Sequence, residues 1–287
     1  HLSLRRQRQM CIRDRYTSGS TGEPKAVIGT HGALANRLRW ALTAWPADRR
    51  LAKSSLSFID GTTELLAGLA AGACTVLADD RASRDGRALA DLIADHDVDQ
   101  VLAVPSLAAA LADEYRDDVA TVRRWIVSGA PLTPADLATL RERGAAVVNS
   151  YGSSEVTGDV LAGLQRDTAV TLGAPVPGAH VRILDRHLGE LPTGAIGEIY
   201  VSGVQLARGY LDRPAQTAAR FIAAPGGARM YRTGDLGAWQ SDGTVVFAGR
   251  TDDQLTVNGH RVEPGEIETA LVRQPGADAV IDDAAEH

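Results

Sequence analysis

The sequence predicts an α/β protein with a mostly parallel sheet and helices on both faces, followed by a mainly β segment. Between residues 16 and 159, short β-prone runs alternate with stretches that have helical spacing, as in parallel sheets covered by helices. After about residue 168 the predicted strands are short and separated by Gly, Pro and Asp turns. Near the C-terminal end, the start of a small α+β unit is expected.

Apolar residues three or four positions apart indicate the helices of the first part. Two such sets are Leu34, Leu38, Leu42 and Trp45, and Leu89, Leu92 and Ile93. Thr133 and Pro134 predict another helix start, because threonine caps a helix and proline fits its first turn. A further helix is predicted from about residue 262 to 271, with acidic residues in its first turn.

Runs rich in β-branched residues predict the strands. They are residues 74–77, 100–104, 125–127 and 146–148 in the first part, and 181–184, 198–201 and 244–247 in the second. The pair Asp242-Gly243 predicts a tight hairpin turn before the last of these strands.

Charge and composition exclude several classes of function. The formal net charge of -6 argues against a nucleic-acid partner, although a local loop can still bind a small anion. The longest apolar stretch, residues 65–78, is interrupted by Gly68 and Gly72 and is too short to span a membrane. With only Cys11 and Cys74, no disulfide framework is indicated, so we expect a reduced, cytoplasmic protein.

The segment 17–25 (TSGSTGEPK) has the composition of a phosphate-binding loop. Its glycines, Gly19 and Gly22, allow backbone N–H groups to converge on an anion, and hydroxyls and the Lys25 ammonium add donors. The alternative is a flexible linker, which rarely combines hydroxyls, a proline and one of only two lysines. Ala26 follows the lysine, so this is not a Walker A motif.

Three later segments offer groups for a nucleotide. Residues 149–155 (NSYGSSE) follow a predicted strand, where α/β sheets bind ligands. Residues 231–236 (YRTGDL) put Asp235 on a predicted turn as an acceptor for ribose hydroxyls, and residues 249–252 (GRTD) add Arg250. Each segment alone is as well explained by an ordinary surface turn.

In this order, the four segments resemble the AMP-forming adenylate superfamily, and most closely the adenylation domains of nonribosomal peptide synthetases. Four further segments agree: 128–132 (SGAPL), 197–200 (GEIY), 205–211 (QLARGYL) and 259–268 (GHRVEPGEIE). The resemblance runs from residue 16 to the C-terminus. It implies three parts: 16–167 as the α/β part of the large domain, 168–251 as a mainly β subdomain, and 252–287 as the beginning of a truncated C-terminal subdomain.

The resemblance implies a role for each matched residue. The ATP phosphates would be held by Ser18, Gly19, Ser20, Thr21, Gly22 and Lys25. Asn149 would meet the adenine amino edge, with Tyr151 and Phe247 flanking the ring. Ser154 would contact the α-phosphate and Glu155 would hold Mg²⁺. Asp235 would accept the ribose hydroxyls beside Arg250, and Lys25, Glu155 and Arg250 would carry the catalysis.

The same resemblance implies ATP and Mg²⁺ as cofactors. It also implies a partner, a peptidyl carrier domain that bears phosphopantetheine and belongs to the same intact polypeptide. The chain departs from the family in several places. The residues 1–15 read as non-native sequence, and the strand before the phosphate loop is expected to be missing. The family's catalytic lysine lies late in the C-terminal domain, beyond a hinge that matches Asp252, yet no lysine follows Lys53. Thr256 stands where the family usually has another lysine. We therefore expect the chain alone to be poorly active.

A small, polar substrate pocket is implied, lined by Ile59, Asp60, Thr63, Ile126, Ser128, Ser150, Gly158 and Asp159. The family usually has an aspartate directly after the position of Phe58, where it binds the substrate's α-amino group. Here Ile59 takes that position and Asp60 follows it. Asp60 is either a turn acid or the anchor of a displaced ammonium group, as in a β-amino acid.

Three other functions compete with this interpretation. One is a free-standing acyl- or aryl-CoA synthetase of the same superfamily, although residues 206–211 and 231–236 look more like peptide-synthetase segments. Another is a non-catalytic nucleotide-binding remnant. A P-loop kinase or motor is a distant third, since the Lys-Ser/Thr pair is missing.

Overall fold

The computed structural model describes residues 14–17, 25–224, 227–252, 255–257 and 260–262, with the backbone alone described for 14–17, 255–257 and 260–262. The predicted helix from 262 to 271 lies outside these residues. Helices of the first part are α1 His31–Ala44, α2 Ile59–Ala71, α3 Gly86–Asp95, α4 Pro105–Glu114 and α5 Pro134–Arg141. Its strands are β1 Asp14–Thr17, β2 Lys25–Ile28, β3 Arg49–Ala52, β4 Cys74–Leu77, β5 Gln100–Ala103, β6 Arg124–Val127, β7 Ala146–Ser153, β8 Gly158–Leu164 and β9 Ala174–Pro175.

The larger sheet has the order β4-β3-β5-β6-β7-β8-β9. Its first five strands are parallel, because each is joined to the next in sequence through a helix, and β8 and β9 are antiparallel. The α/β fold class predicted from the sequence is therefore confirmed. The strand predicted at 146–148 is longer, since β7 continues through Ser153 while paired to β8.

The second sheet is antiparallel, as the Gly, Pro and Asp turns between its strands predict. It contains β10 Ala179–Leu184, β11 Gly197–Gly203, β12 Phe221–Ala223, β13 Arg229–Trp239 and β14 Val245–Arg250, with α6 Pro214–Arg220 before β12. The predicted turn at Asp242-Gly243 joins β13 to β14. A two-stranded sheet of β15 Leu255–Val257 and β16 His260–Val262 follows.

Local signals at the helix ends agree with the sequence. The Thr133 side chain accepts a hydrogen bond from the Asp136 backbone N–H, and the Asp136 carboxylate accepts one from the Thr133 backbone N–H, which forms a capping box at α5. The Thr30 and Asp85 side chains also accept backbone N–H bonds, as simple N-caps of α1 and α3. These caps satisfy N–H groups that the first helical turn leaves without partners.

The buried face of α1 differs from the predicted stripe. Its buried residues are Ala33, Arg37, Trp40 and Ala41, whereas Leu34, Leu38 and Leu42 are half-buried at its margin. The hydrophobic period was correct, but the face is rotated because an arginine occupies a core position. This rotation directs a charged side chain toward the interior of the molecule.

Two hydrophobic clusters hold the sheets together. One lies between the parallel strands and α3 to α5 and includes Leu51, Leu89, Ile93 and Trp125. The other joins β7 and β8 to the antiparallel sheet and includes Val27, Val160, Leu161, Ile199, Tyr231 and Val245. The second cluster brings the end of β7 against β13, where the predicted nucleotide-binding residues lie.

Candidate functional site

Both ends of the predicted phosphate loop are held side by side. The loop residues Ser18, Gly19, Ser20, Thr21 and Gly22 lie outside the described residues, but β1 and β2 flank them and pair with Thr17 opposite Lys25. The expectation that the preceding strand is missing was wrong, since Asp14–Thr17 forms it. Backbone pairing tolerates the unusual side chains of this segment, because each residue still offers one N–H and one C=O.

Lys25 is fixed by a segment far along the chain. The β2 backbone is bonded to residues 208–211: the Ile28 N–H donates to Gly209 O, and the Leu211 N–H donates to Ala26 O, both at 2.8 Å. The Lys25 side chain is buried, with its Nζ 5.2 Å from the centre of the Tyr210 ring. This is the geometry of a cation–π contact.

Glu155 follows β7 in a single 3₁₀ turn, Ser154–Val156. The turn ends at Thr157, with a left-handed φ of 58°, and at Gly158, with φ of 91°. The Glu155 side chain is only 1% exposed, and its Oε1 accepts a hydrogen bond from the Tyr210 hydroxyl at 2.9 Å. Tyr210 therefore contacts both Lys25 and Glu155, two of the residues predicted to be catalytic.

Asp235 lies within β13, not on the turn predicted from the sequence. Thr233 and Gly234 resemble turn residues, yet the strand continues past them because Gly234 takes a φ of +82° inside the sheet. The Tyr151 hydroxyl donates to Asp235 Oδ2 at 2.5 Å. Burial raises the pKa of Tyr151 well above 10, and Asp235 adds to the shift, so Tyr151 keeps its proton.

Arg250, Asp252 and Arg220 form a charged network beside Asp235. Arg250 is ion-paired with Asp235, and its Nε donates to Asp252 Oδ1 at 2.8 Å. Arg220 reaches Asp252 Oδ2 at 3.2 Å. Burial by itself would raise the pKa of Asp252, but Arg250 and Arg220 lower it overall. The predicted hinge residue is thus a carboxylate held by two arginines.

Two of the residues predicted to bind adenine differ in burial, since Asn149 is buried and Phe247 is exposed. Asn149 is buried within β7, and its Nδ2 donates to Thr171 O at 2.7 Å, which fixes the orientation of the amide. Phe247, on β14, is 39% exposed, which is high for a phenylalanine ring. Neither residue lines the small cavity formed by Tyr151, Gly152, Ser153, Val156, Val160, Val201, Tyr231, Thr233 and Asp235.

Gly152 brings β7 and β8 unusually close together. A Cβ atom at this position would lie 1.7 Å from the Gly158 carbonyl oxygen. The pairing of β7 with β8 also shifts register between Tyr151 and Gly152. This irregularity places the Tyr151 side chain toward Asp235 and leaves Ser153, Ser154 and Glu155 just beyond it.

The predicted substrate pocket lies between α2, β6, β7 and β8. Ile59, Asp60 and Thr63 belong to the start of α2, Ile126 to β6, Ser150 to β7, and Gly158 and Asp159 to β8, while Ser128 directly follows β6. A Cβ on Gly158 would lie 3.5 Å from Ile59 Cγ1 and 3.4 Å from Arg37 Nε. The buried Ser150 Oγ has no hydrogen-bond partner among the described residues.

Charges are concentrated at this pocket. Asp159 is buried and ion-paired with Arg37 of α1. Loss of hydration raises the pKa of Asp60 to about 7, the neighbouring Asp159 adds to the shift, and Arg37 opposes it. A carboxyl in such surroundings gains from a cationic partner, because a positive charge would restore its ionised form.

Comparison with known proteins identifies the family. Residues 15–211 match the family described as AMP-binding enzyme. The chain belongs to this family. The AMP-binding enzyme is 43% identical over 276 residues to a probable non-canonical nonribosomal peptide synthetase, CymA, of Salinispora arenicola. The match covers 93% of this chain and 4% of CymA.

Solved structures share the fold. The AMP-binding enzyme superposes with a TM-score of 0.83 and 31% identity on holo-PA1221, a peptide-synthetase protein that contains adenylation and PCP domains, covering 92% of this chain and 48% of that one. A second match is the adenylation domain AlmE of Vibrio cholerae in complex with glycyl-adenosine-5'-phosphate, with a TM-score of 0.83 and 26% identity. The superposition covers 93% of this chain and 53% of the AlmE chain. The family and the peptide-synthetase resemblance predicted from the sequence are confirmed.

Sequence reasoning missed several residues of this AMP-binding enzyme. Tyr210 was recognised only as part of the segment 205–211, and its hydroxyl partner Glu155 is too distant in sequence to reveal the contact. Arg37 was missed because it lies on an otherwise apolar face. Glu64 was missed as well: its carboxylate accepts from the Lys53 and Ser54 backbone N–H groups at 3.0 and 2.8 Å, which fixes the turn before α2.

The carboxylate near the end of β7 fits a magnesium ion better than a metal bound by several protein ligands. Within the described parts of the AMP-binding enzyme, no group of three or more His, Cys, Asp or Glu side chains gathers to hold one. Glu155 alone supplies a carboxylate at the end of β7. A single carboxylate fits Mg²⁺, which keeps several waters and is usually bound through one or two carboxylates together with substrate phosphates.

Across the described portion of the chain, no helix is both long enough and apolar enough to cross a membrane.

Proposed function

We propose that this AMP-binding enzyme activates an amino acid, or a related carboxylate, as its AMP ester for transfer to a carrier-protein thiol in nonribosomal peptide biosynthesis. One observation carries the proposal: two tyrosine contacts bring Lys25, Glu155 and Asp235, from three distant segments, to the region around the end of β7. Tyr210 contacts Lys25 and Glu155, and Tyr151, four residues before Glu155, donates to Asp235.

The proposed nucleotide contacts follow from the chemistry of each side chain. Asp235 accepts the ribose hydroxyls, and Arg250, paired with it, lies beside them. Asn149 presents its amide oxygen to the adenine amino group, because its Nδ2 is engaged by Thr171. Tyr151 and Phe247 flank the adenine ring. Ser154 contacts the α-phosphate, and the remaining phosphates are bound by Ser18, Gly19, Ser20, Thr21, Gly22 and Lys25.

The reaction needs no protein nucleophile. A substrate carboxylate oxygen attacks the α-phosphorus, the bond to the bridging oxygen of the β-phosphate breaks, and pyrophosphate leaves with that electron pair. Lys25 and Arg250 stabilise the negative charge that develops, and Asp235 keeps the ribose in position. In the second step, the carrier thiol attacks the acyl carbonyl, loses its proton and displaces AMP.

Mg²⁺ fits beside Glu155, where it would neutralise charge on the phosphates. Glu155 is held for this task by the Tyr210 hydroxyl and by its own carbonyl, which accepts from the Ala207 N–H at 2.9 Å. The hydroxyl bond orients the carboxylate, and the Ala207 bond fixes the backbone that carries it. The buried position also keeps water from competing for the same oxygen atoms.

Asp60 is proposed to anchor an ammonium group of the substrate. Asp159 is already paired with Arg37, so Asp60 is the carboxylate of this pocket that can bind a ligand cation. In the full-length protein, Asp60→Asn should weaken exchange with amino acids by about tenfold or more, while their hydroxy-acid counterparts are unaffected. If Asp60→Asn used amino acids as well as the wild type does, relative to hydroxy acids, Asp60 would not be the anchor.

The partner and the arrangement of domains are part of the proposal. The CymA relative is many times longer than this chain, which spans 4% of it, so a phosphopantetheine-bearing carrier domain is proposed on the same intact polypeptide. Residues 16–167 and 168–251 would form the two parts of the large domain, and Asp252 would be the hinge to residues 252–287. Residues 1–15 remain proposed as non-native. We place the protein in the cytoplasm, where ATP is available and thiols stay reduced.

The test is ATP–pyrophosphate exchange by the full-length protein with a panel of amino, hydroxy and aryl acids. Exchange that depends on an amino acid supports the proposal, and Glu155→Gln should lower it at least tenfold. Glu190→Gln, at an exposed position, is the matched control. Thioester formation on free CoA instead of a carrier protein would favour a CoA synthetase. ATP binding without any exchange would favour the non-catalytic alternative.

A further inference from the structure

A cavity of about 30 Å³ lies between α1, α2 and the parallel sheet. It is lined by Arg37, Trp40, Ala41, Trp45, Arg50, Leu51, Thr63, Glu64, Ala67, Gln100, Leu102, Ile126 and Asp159. Thr63, Ile126 and Asp159 also belong to the predicted substrate pocket. The cavity is therefore the deeper continuation of that pocket, toward the amino ends of β3 and β5.

Three N–H donors that line this cavity lack an acceptor. Arg37 Nε, Trp45 Nε1 and Arg50 Nε are all buried, and none has a hydrogen-bond partner in the part of the chain that the structure describes. The Arg37 and Arg50 residues are only 4% and 5% exposed. Buried N–H groups are almost always paired, so three of them at one cavity indicate an acceptor that binds there.

The two acidic side chains that line the cavity already have partners. Glu64 accepts from the backbone N–H groups of Lys53 and Ser54, and Asp159 is paired with Arg37. Arg50 donates through Nη2 to the Trp45 carbonyl at 2.9 Å, but forms no ion pair among the described residues. Neither carboxylate therefore satisfies the three unpaired donors, Arg37 Nε, Trp45 Nε1 and Arg50 Nε.

The electrostatics of Arg50 agree with this deficit. Burial lowers the pKa of Arg50, and the neighbouring Arg124 and Arg37 guanidinium groups lower it further, against the opposing effect of Asp99. An oxygen acceptor placed in the cavity would offset both the lost hydration and the repulsion between these cations. A hydrocarbon group would offset neither.

We propose that the cavity receives the end of the substrate's side chain and that this end carries an oxygen acceptor, as in a carboxamide or a carboxylate. The inference rests on the proposed function and adds a substrate class to it. The size agrees, since the cavity has room for about two water-sized groups, such as the two polar atoms of a carboxamide. The three donors would then select against apolar side chains of the same shape.

The experiment measures ATP–pyrophosphate exchange by the full-length protein with the proteinogenic amino acids. Two near-isosteric series are decisive: leucine, asparagine and aspartate, and methionine, glutamine and glutamate. The preferred substrate should have an oxygen-ended side chain and exceed its apolar isostere by tenfold or more in kcat/KM. Arg50→Met and, separately, Trp45→Phe should each reduce that ratio by about tenfold.

Matched controls keep the result interpretable. Arg49→Met changes the exposed neighbour of Arg50 on the same strand, and Trp125→Phe changes a buried tryptophan of the same sheet away from the cavity. Both should leave the ratio unchanged. The ratio compares two substrates on one enzyme, so a partly unfolded variant does not bias it.

The possible outcomes separate the two proposals. A preference for the apolar isosteres, or ratios that Arg50→Met and Trp45→Phe leave unchanged, would mean that the cavity holds water only and would overturn the inference. Exchange with no carboxylic acid at all would instead refute the proposed adenylation, independently of what fills the cavity.

Discussion

The Tyr210 hydroxyl donates a hydrogen bond to the Glu155 carboxylate at 2.9 Å, while the ring of the same tyrosine lies 5.2 Å from Lys25 Nζ. One side chain thus links a residue at the edge of the predicted phosphate loop to the predicted metal ligand. Because Tyr210 is itself fixed to β2 through neighbouring backbone bonds, the three residues are positioned as a unit.

Removing the Tyr210 hydroxyl should impair catalysis more than stability. Tyr210→Phe keeps the ring beneath Lys25 but deletes the donor to Glu155, and hydrogen bonds to charged groups contribute about 1.5–3 kcal/mol. We expect kcat for pyrophosphate exchange to fall at least tenfold in the full-length protein. Tyr200→Phe removes a comparable hydroxyl–carboxylate bond, from Tyr200 to Glu198 at 3.1 Å, and should leave kcat unchanged. Equal rates for the two variants would contradict the prediction.

Asp235→Asn should weaken ATP binding. The change removes the charge that pairs with Arg250 and the strong acceptor of the Tyr151 hydroxyl, together with the proposed ribose acceptor. We expect kcat/KM for ATP to fall about 10- to 100-fold, a loss of about 1.4–2.7 kcal/mol. Asp242→Asn, on the exposed turn between β13 and β14, is the control. An unchanged KM for ATP in Asp235→Asn would remove Asp235 from the nucleotide site.

Asp60 should make the folded protein less stable as the pH rises. Its pKa is raised from 3.8 to about 7, so the folded state binds more protons than the unfolded state between these values. The stability that protonated Asp60 contributes is complete below about pH 4 and is lost as the pH rises through 7. Urea unfolding at pH 5 and pH 8 should show this decline in the wild-type chain.

Asp60→Asn should flatten that decline, because asparagine does not titrate in this range. Asp91 is the control, since it is exposed and its pKa is lowered by Arg87, so Asp91→Asn should leave the difference between pH 5 and pH 8 intact. If the stability of Asp60→Asn fell as steeply between pH 5 and pH 8 as that of the wild type, other titrating groups would be responsible for the fall.

Gly152 and Gly32 should respond oppositely to the same substitution. In Gly152→Ala the new Cβ would overlap the Gly158 carbonyl at 1.7 Å, and such overpacking costs about 1–3 kcal/mol or more. In Gly32→Ala, within α1, no atom lies within 4 Å of the new Cβ, and alanine should stabilise the helix by up to about 1 kcal/mol. Urea unfolding of both variants measures the two signs. A neutral Gly152→Ala would show that β7 and β8 can separate without cost.

The sequence predicted most of the regular structure because the relevant signals are local. Hydrophobic period, the Thr133 cap and the Asp242-Gly243 turn each depend on a few neighbouring residues, and the structure bears them out. The position of Asp235 was predicted less well. Its neighbours Thr233 and Gly234 favour a turn, and only pairing with β11 and β14 makes the segment a strand.

The site was predictable as a set of residues through family resemblance, but its internal contacts were not. Tyr151 meets Asp235, and Arg37 meets Asp159, across separations that no local pattern reports. The three unpartnered donors of the deeper cavity were equally hidden, since a tryptophan and two arginines in separate elements look unrelated in the sequence. Their relation appears only when α1 packs on the sheet.

The backbone bonds between β2 and residues 208–211 also have a consequence for synthesis on the ribosome. The strand that leads out of the phosphate loop is made early, yet the segment that secures it emerges only after the whole parallel sheet has been translated. All strands of the parallel sheet are thus translated before the residues that hold β2 in place. The strand beside the predicted phosphate loop is therefore secured only once residues 208–211 have emerged from the exit tunnel.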